Sequence, residues 1–225
     1  MRQVEIGRTS IAVLEDDPSR EGKCFTGAWV WDCALVLTHW LDSIAAIGES
    51  GGADIAPVSA ELGLGHHGFK DKRVVELGAG TGLPGMAAAL LGASEVILTD
   101  RAGLLPCLRR NVEANQLESR VRVLELEWGA DCSQVAAPVD FVLCSDILYD
   151  IEAVPALAKT LLDLSGESTR ILLAYELRIG TTECFHKLRE LGLEFTRVPS
   201  EELHPQWQSE DIGIFILRRS YPETI

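Results

Sequence analysis

The sequence predicts an α/β fold in which a mostly parallel sheet carries helices on both faces and ends in an antiparallel strand. Val74, Val75 and Leu77 form a short apolar run, which is followed by three alternating glycines and by a second apolar run from Pro84; this pattern indicates strand, turn and helix. From residue 95 onward, strand-like and helix-like segments alternate, as they do in parallel sheets. The segments 194–198 and 212–217 have only a loop between them, which predicts an antiparallel edge.

The remaining elements follow from local patterns. Weak alternation in residues 1–25 around Gly7 suggests a β-hairpin, and residues 15–23 have the composition of an exposed turn. Helical spacing of apolar residues covers 27–41, whereas 48–69 is rich in glycine and is expected to be a mobile loop. We expect further strands at 95–100, 121–126, 139–145 and 170–176, and helices at 84–91, 104–115, 152–164 and 182–191.

Length and composition favour one domain over 1–225, with a hairpin and helix in 1–47 and a flexible loop over 48–69. The hydrophobic content of 47% and the charged content of 24% are ordinary for globular proteins. No apolar run approaches the roughly 20 residues that span a bilayer, and the N-terminus lacks the apolar segment of a signal peptide.

Cysteine spacing and net charge limit the classes of function. The six cysteines include no C-x-x-C pair and several lie in apolar runs, which favours reduced thiols, a cytoplasmic location and no metal site. The adjacent His66 and His67 are expected in a solvated loop. A net charge of −14 argues against nucleic acid, because phosphate contacts need clustered Lys and Arg. An acidic surface favours encounters with basic segments of other proteins, and simple solubility is the alternative explanation of this charge. We expect a monomer that binds neither nucleic acid nor membrane.

The glycine turn predicts a nucleotide-type cofactor site. Gly78, Gly80 and Gly82 would let the backbone turn sharply and approach a ligand closely. Gly80-x-Gly82-x-x-Gly85 also satisfies the dinucleotide fingerprint, but a single match of that kind is weak, and a turn used only for packing is a further alternative.

Two carboxylates favour S-adenosylmethionine over a dinucleotide. Glu76, near the end of the first sheet strand, suits a ligand with an ammonium group and would repel a pyrophosphate. Asp100, at the end of the second, is placed to accept hydrogen bonds from a ribose diol. Only one nucleotide-binding half is visible, and S-adenosylmethionine has an amino acid moiety, a ribose and no phosphate.

Ligands of open parallel sheets bind beyond the carboxyl ends of the strands. The residues expected at those ends are Glu76, Asp100, Trp128, Asp146 and Glu176. Trp128 offers a flat surface for adenine, although a partly buried core position is the alternative. Trp31 could cover a ligand from the start of the first helix, whereas Trp40 is expected in the core.

Asp146 and Tyr149 follow the fourth sheet strand directly. If that segment enters a helical turn, a carboxylate and a phenol face the same side, beside the cofactor. The alternative is that Asp146 caps a helix, and the two roles can coexist.

The combined motifs resemble the seven-β-strand methyltransferases of family 16, a protein-lysine methyltransferase group. The motifs are Val74–Gly82, Asp100, Leu126-Glu-Trp-Gly129 and Asp146-x-x-Tyr149, and the resemblance covers 27–219. It implies a Rossmann-like seven-stranded sheet, S-adenosylmethionine as cofactor with S-adenosylhomocysteine as product, and methylation of a lysine in a protein, such as an AAA ATPase or chaperone-type target.

The resemblance also implies residue roles. Contacts to S-adenosylmethionine would come from Trp31, Gly78, Ala79, Gly80, Asp100, Trp128 and Ser145, with Glu76 added from its charge. The lysine would face Asp146, Tyr149 and Glu176.

Two other classes of function stay open. The first is a methyltransferase acting on a small molecule or a nucleic-acid base. Adenine methylation usually goes with Asn/Asp-Pro-Pro-Tyr, and Ile147-Leu148 lacks both prolines. The second is a non-catalytic module with this fold, against which the intact Glu76, Asp100 and Asp146 argue.

Overall fold

The computed structural model describes residues 1–15, 26–49, 62, 68–178 and 182–221. The N-terminal part contains β1 (Arg2–Ile6), β2 (Thr9–Val13) and α1 (Asp32–Glu49). The large sheet contains β3 (Arg73–Leu77), β4 (Glu95–Asp100), β5 (Val121–Glu125), β6 (Phe141–Ser145), β7 (Arg170–Glu176), β8 (Leu193–Arg197) and β9 (Ile212–Arg219). The other helices are α2 (Leu83–Leu90), α3 (Leu105–Ala114), α4 (Val154–Leu164) and α5 (Thr182–Glu190).

The seven strands lie in the order β5-β4-β3-β6-β7-β9-β8. β3 pairs in parallel with both β4 and β6, so the chain leaves β3 toward one edge and later returns to build the other. β9 pairs antiparallel with both β7 and β8, as the missing helix between the last two strand segments predicts. The strand order therefore reverses beside β3, where open α/β sheets bind ligands.

Both faces of the sheet are covered. Val74 belongs to an apolar cluster that includes α1, α2 and the hairpin, whereas Val75 and Leu77 belong to the cluster on the opposite face with α4 and α5. Burial on both faces explains why Val74, Val75 and Leu77 are apolar, and Glu76 is the buried charged exception in β3. The two clusters fix the strand ends that form the site.

Two asparagines of the α3 region hold the hairpin in place. Asn115 exchanges hydrogen bonds with Ala12, each of 2.8 Å, and the Asn111 side chain accepts one from the Leu14 N–H at 2.7 Å. Asn111 is fully buried, so losing its hydrogen bond from Leu14 would leave a buried side-chain oxygen unpaired.

The predicted fold class is confirmed, and the main difference concerns the first helix. α1 begins at Asp32 and not at residue 27, because 26–31 form a turn and an irregular segment in which Gly27 lies against Gly80 of the glycine turn. α1 also runs into the predicted 48–69 loop, as far as Glu49.

Several expectations fall on residues outside the described ranges. These are most of the 15–23 turn, most of the 48–69 loop, Cys24, His66 and His67. The five cysteines within the ranges are buried and form no disulfide. In the same ranges, no helix has both the length and the apolar character needed to cross a membrane.

Candidate active site

A cavity of about 700 Å³ opens beyond the carboxyl ends of β3, β4 and β6. Its walls come from the glycine turn after β3, the segments after β4, β5, β6 and β7, and the segment before α1. The volume lies within the range of small-molecule sites, and the position is the reversal point of the strand order. The lining includes four carboxylates, Asp100, Glu127, Asp146 and Asp150, and two guanidinium groups, Arg101 and Arg178.

The glycine turn lines one wall in a conformation that requires glycine. Gly78 and Gly80 have φ angles of 58° and 55°, which strongly favour residues without a Cβ. A Cβ on Gly80 would lie 2.8 Å from the carbonyl oxygen of Gly27, and one on Gly78 would lie 3.1 Å from Cγ2 of Ile147. Gly27, which the sequence did not single out, therefore closes the turn from outside.

Asp100 organises this turn and also faces the cavity. Its carboxylate accepts hydrogen bonds from the backbone N–H groups of Gly80 at 2.8 Å and Arg101 at 2.7 Å. Burial raises the pKa of Asp100, and these two hydrogen bonds act against that rise. A carboxylate offers about four acceptor sites, so two remain for the diol of a ribose.

Three tryptophan side chains border the cavity. Trp31 is 40% exposed, donates from Nε1 to the carbonyl of Thr26 at 2.7 Å, and lies 5.7 Å from Trp29 between ring centroids. Trp29 also lines the cavity, although only Trp31 was predicted there. Trp128 lines the cavity while packing partly against the α4 and α5 cluster, and Trp40 is fully buried as predicted.

Asp146 projects a nearly buried carboxylate into the cavity from the end of β6. Its φ of 53° and its hydrogen bond from N–H to the carbonyl of Ala174, at 2.9 Å, hold the backbone in place. Oδ2 accepts a hydrogen bond from Nη2 of Arg178 at 2.6 Å. Oδ1 is buried and has no hydrogen-bond partner within the described part of the chain. Arg178 also binds Glu176, so this arginine joins the two predicted lysine-facing carboxylates.

The segment after Asp146 differs from the predicted helical turn. Residues 147–150 are irregular, and a 3-10 turn starts only at Ile151. Asp150 caps that turn by accepting from the Glu152 N–H at 3.0 Å, so the capping role considered for Asp146 belongs to Asp150. Tyr149 is 60% exposed and lines the cavity.

Ser145 lines the cavity, but Glu76 and Glu176 are not part of its wall. Glu76 is the penultimate residue of β3, and its side chain projects from the face of the sheet that α2 covers. Its Oε2 accepts from the Gly85 N–H in the first turn of α2 at 2.8 Å. The predicted convergence of Glu76 with the other carboxylates is therefore not seen, because Glu76 lies behind the glycine turn.

Comparison with known proteins gives the family. A family described as lysine methyltransferase matches residues 17–190. The chain belongs to this lysine methyltransferase family. It is 38% identical to the protein N-lysine methyltransferase METTL21A of Danio rerio, over 90% of this chain and 80% of that protein. It is also 32% identical to the EEF1A lysine methyltransferase 3 of Mus musculus, over 95% of this chain and 79% of that protein.

Solved methyltransferases share the fold at low sequence identity. A ribosomal protein L11 methylase from Lactobacillus delbrueckii subsp. bulgaricus superposes with a TM-score of 0.54 at 15% identity, covering 80% of this chain and 78% of that chain. A TehB-like methyltransferase from Corynebacterium glutamicum gives 0.54 at 14% identity, covering 79% and 88%. The chain is thus an S-adenosylmethionine-dependent lysine methyltransferase with the fold that its sequence predicted.

The cavity of this lysine methyltransferase fits S-adenosylmethionine. The glycine cradle excludes a Cβ, the carboxylate of Asp100 retains acceptor capacity, and a partly buried indole stands beside them. The lining carries more carboxylates than guanidinium groups, which suits a sulfonium cofactor.

Asp100→Ala is expected to weaken S-adenosylhomocysteine binding by about 1.5–3 kcal/mol, the range for hydrogen bonds to a charged group. The variant removes the acceptor for the diol and also the partner of the Gly80 N–H. Calorimetric titration measures the loss, with Asp163→Ala on the exposed face of α4 as control. Unchanged affinity for S-adenosylhomocysteine in a folded Asp100→Ala protein would show that Asp100 does not contact the cofactor.

Trp128→Ala is expected to lower cofactor affinity more than it lowers stability, because the indole lines the cavity and is only partly buried. Trp40→Ala is the matched control, since truncating a fully buried tryptophan costs about 3–5 kcal/mol of stability. Thermal unfolding and calorimetric titration of both variants separate the two effects. A stability loss in Trp128→Ala equal to that of Trp40→Ala, with intact affinity, would assign Trp128 to packing.

Proposed function

We propose that this methyltransferase acts on the Nζ atom of a lysine that a partner protein inserts into the cavity, where Asp146 and Tyr149 hold the amine. One observation carries the proposal: Asp146 lines the cavity, and its buried Oδ1 lacks a hydrogen-bond partner among the described residues. A buried acceptor without a donor is costly, so such an atom is typical of a site that a ligand completes.

Cofactor binding is assigned to other residues of the cavity lining. We assign it to Trp31, Gly78, Ala79, Gly80, Asp100, Trp128 and Ser145, all of which line the cavity. When bound, S-adenosylmethionine supplies an electrophilic methyl group on a sulfonium. Glu76 supports this site indirectly, since it holds the first turn of α2 behind the glycine turn.

The chemistry requires a neutral amine. A free lysine has a pKa of about 10.4 and is neutral about once in 2,500 molecules at pH 7. Burial beside a sulfonium lowers that value. Oδ1 of Asp146 accepts an N–H and orients the lone pair, and the carboxylate stabilises the positive charge that nitrogen gains. The bound cofactor would supply its methyl group to Nζ, with S-adenosylhomocysteine as the product, and the methylated ammonium would release its proton to solvent.

The net charge of the chain and its similarity to known lysine methyltransferases suggest which proteins could be the substrate. An acidic chain, with net charge −14, favours a protein that presents its lysine on a basic segment. Val30-Trp-Asp32, Ala174-Tyr-Glu-x-Arg178 and Ser209-Glu-Asp-Ile212 are similar to motifs of the valosin-containing-protein lysine methyltransferase. These motifs make an AAA ATPase or chaperone-type protein the first candidate, and the EEF1A methyltransferase relatives add elongation factor 1A as a second. We propose a cytoplasmic monomer without nucleic-acid or membrane partners.

Labelled S-adenosylmethionine incubated with the purified chain and each candidate protein tests this function. We expect label on one protein, located by mass spectrometry at a lysine and abolished when that lysine is replaced by arginine. Label on small molecules or nucleic acid of a cell extract, with none on protein, would contradict the proposal and favour the small-molecule alternative.

A further inference from the structure

Arg178 forms ion pairs with both Asp146 and Glu176. Its Nη2 lies 2.6 Å from Oδ2 of Asp146 and also donates to Oε2 of Glu176, to which its Nε donates at 3.0 Å. Arg178 lines the cavity, and its side chain is about one-third exposed. The Arg178 side chain is therefore more exposed to solvent than the carboxylate proposed to meet the lysine, whose side chain is 10% exposed.

A carboxylate by itself would hinder this reaction. An opposite charge within about 4–6 Å favours the charged form of an amine, commonly by 1–3 pKa units. Asp146 and Glu176 without compensation would therefore bind lysine as ammonium, which has no lone pair. Pairing with Arg178 leaves one net negative charge on the three groups and leaves Oδ1 of Asp146 available as an acceptor.

We propose that Arg178 is a positioning residue, which fixes Asp146 through Oδ2 and balances its charge so that Oδ1 receives the lysine as a neutral amine. This inference rests on the proposed function. It assigns Arg178 a part in controlling the protonation of the substrate as well as in holding the loop.

The other groups near Asp146 carry no positive charge, so Arg178 is the cation that balances the Asp146 carboxylate at this end of the described lining. From α1, the Cys33 thiol interacts electrostatically with Asp146 and Glu176, and also with Asp32 of its own helix. Burial is the main cause that raises the pKa of the Cys33 thiol, and the negative charges of Asp146 and Glu176 raise it further. The thiol therefore stays neutral. From the segment after β6 come Tyr149 and Asp150, neither of which is cationic at neutral pH. The second lining guanidinium, Arg101, lies beside Asp100 on the neighbouring wall.

The inference is tested by the pH dependence of the single-turnover rate constant, measured on a protein acceptor identified as described above. In Arg178→Met we expect the rate profile to move about one to two pH units toward alkaline pH, the effect of an uncompensated nearby carboxylate. At pH 7 the rate constant should fall about 10- to 100-fold while KM does not rise. Arg178→Lys, which restores the charge without the forked geometry, should recover most of the profile.

Two control variants separate the effect of the Arg178 charge from a loss of structure at this position. S-adenosylhomocysteine affinity and melting temperature should stay near wild type in Arg178→Lys, and Arg122→Met removes an exposed guanidinium paired with Glu95 far from the cavity. An equal loss of rate at every pH in both Arg178 variants, with no shift of the profile, would overturn the inference and leave Arg178 as a structural ion-pair residue.

A second measurement does not depend on finding the acceptor protein. N-acetyl-lysine methylamide is titrated into the S-adenosylhomocysteine complex and followed by NMR at pH 7. Arg178→Met should bind this ammonium several-fold more tightly than wild type, whereas Arg178→Lys should resemble wild type. Equal or weaker binding by Arg178→Met would refute charge compensation. If wild type methylates no protein lysine yet the titration behaves as expected, the proposed function fails and the charge balance stands.

Discussion

Asp146→Asn is expected to lower the single-turnover methylation rate by about 10²-fold or more while S-adenosylhomocysteine binds nearly normally. The amide keeps the shape and one oxygen that can accept from Arg178, but it removes the charge that stabilises the developing ammonium. Rate and cofactor affinity are measured in parallel on the same protein acceptor.

Two variants of neighbouring residues sharpen this test. Tyr149→Phe should be milder, because the ring still walls the cavity. Asp150→Asn removes a carboxylate from the same cavity but retains the oxygen that caps the 3-10 turn, so its rate should change little. Methylation by Asp146→Asn at the wild-type rate would disprove the catalytic assignment of the Asp-x-x-Tyr pair.

Glu76→Gln is expected to remove a pH-dependent loss of stability worth about 4–5 kcal/mol. Burial raises the pKa of Glu76 to about 8 from an ordinary value of 4.5, against the hydrogen bond from Gly85. Between these values the folded chain holds a proton that the unfolded chain has released. The free energy of unfolding therefore falls as pH rises through this window, by about 1.36 kcal/mol per unit, and levels off above it.

Urea unfolding of the cofactor-free protein from pH 5 to pH 9 measures this effect. In Glu76→Gln the side-chain amide oxygen would still accept from the Gly85 N–H but the group could not ionise, so the variant should gain on wild type as pH rises. Glu113→Gln, an exposed change on α3, serves as the control and should follow wild type. Parallel stability curves for Glu76→Gln and wild type would show that Glu76 does not titrate with folding.

The fold was accessible from sequence because apolar periodicity decides which segments become strands and helices. β4 and β7 have the predicted bounds, since each is a buried run that ends at a carboxylate. The same periodicity says little about where a side chain points relative to the turn after its strand. Glu76 illustrates this limit: one residue before the strand end, it faces α2, whereas Asp100 ends its strand and reaches the cavity.

The candidate site was only partly accessible, because contacts across the sheet join residues far apart in the chain. Arg178 and Asp146 are 32 residues apart, and they meet because β6 and β7 are neighbours. The available signal was an arginine two residues beyond the strand next to that of Asp146. Gly27 and Trp29 precede α1, and no local pattern predicts that they reach the glycine turn and the cavity.

The position of β9 affects the order in which this chain can mature on the ribosome. β9 comes last among the described strands, yet it lies between β7 and β8. Until β9 has left the exit tunnel, the outer edge of β7 has no neighbour, and β8 lacks its pairing strand in the described sheet. The cavity walls from β3 to β7 are synthesised earlier, so a nascent chain carries them beside an open sheet edge that chaperones or other chains could bind.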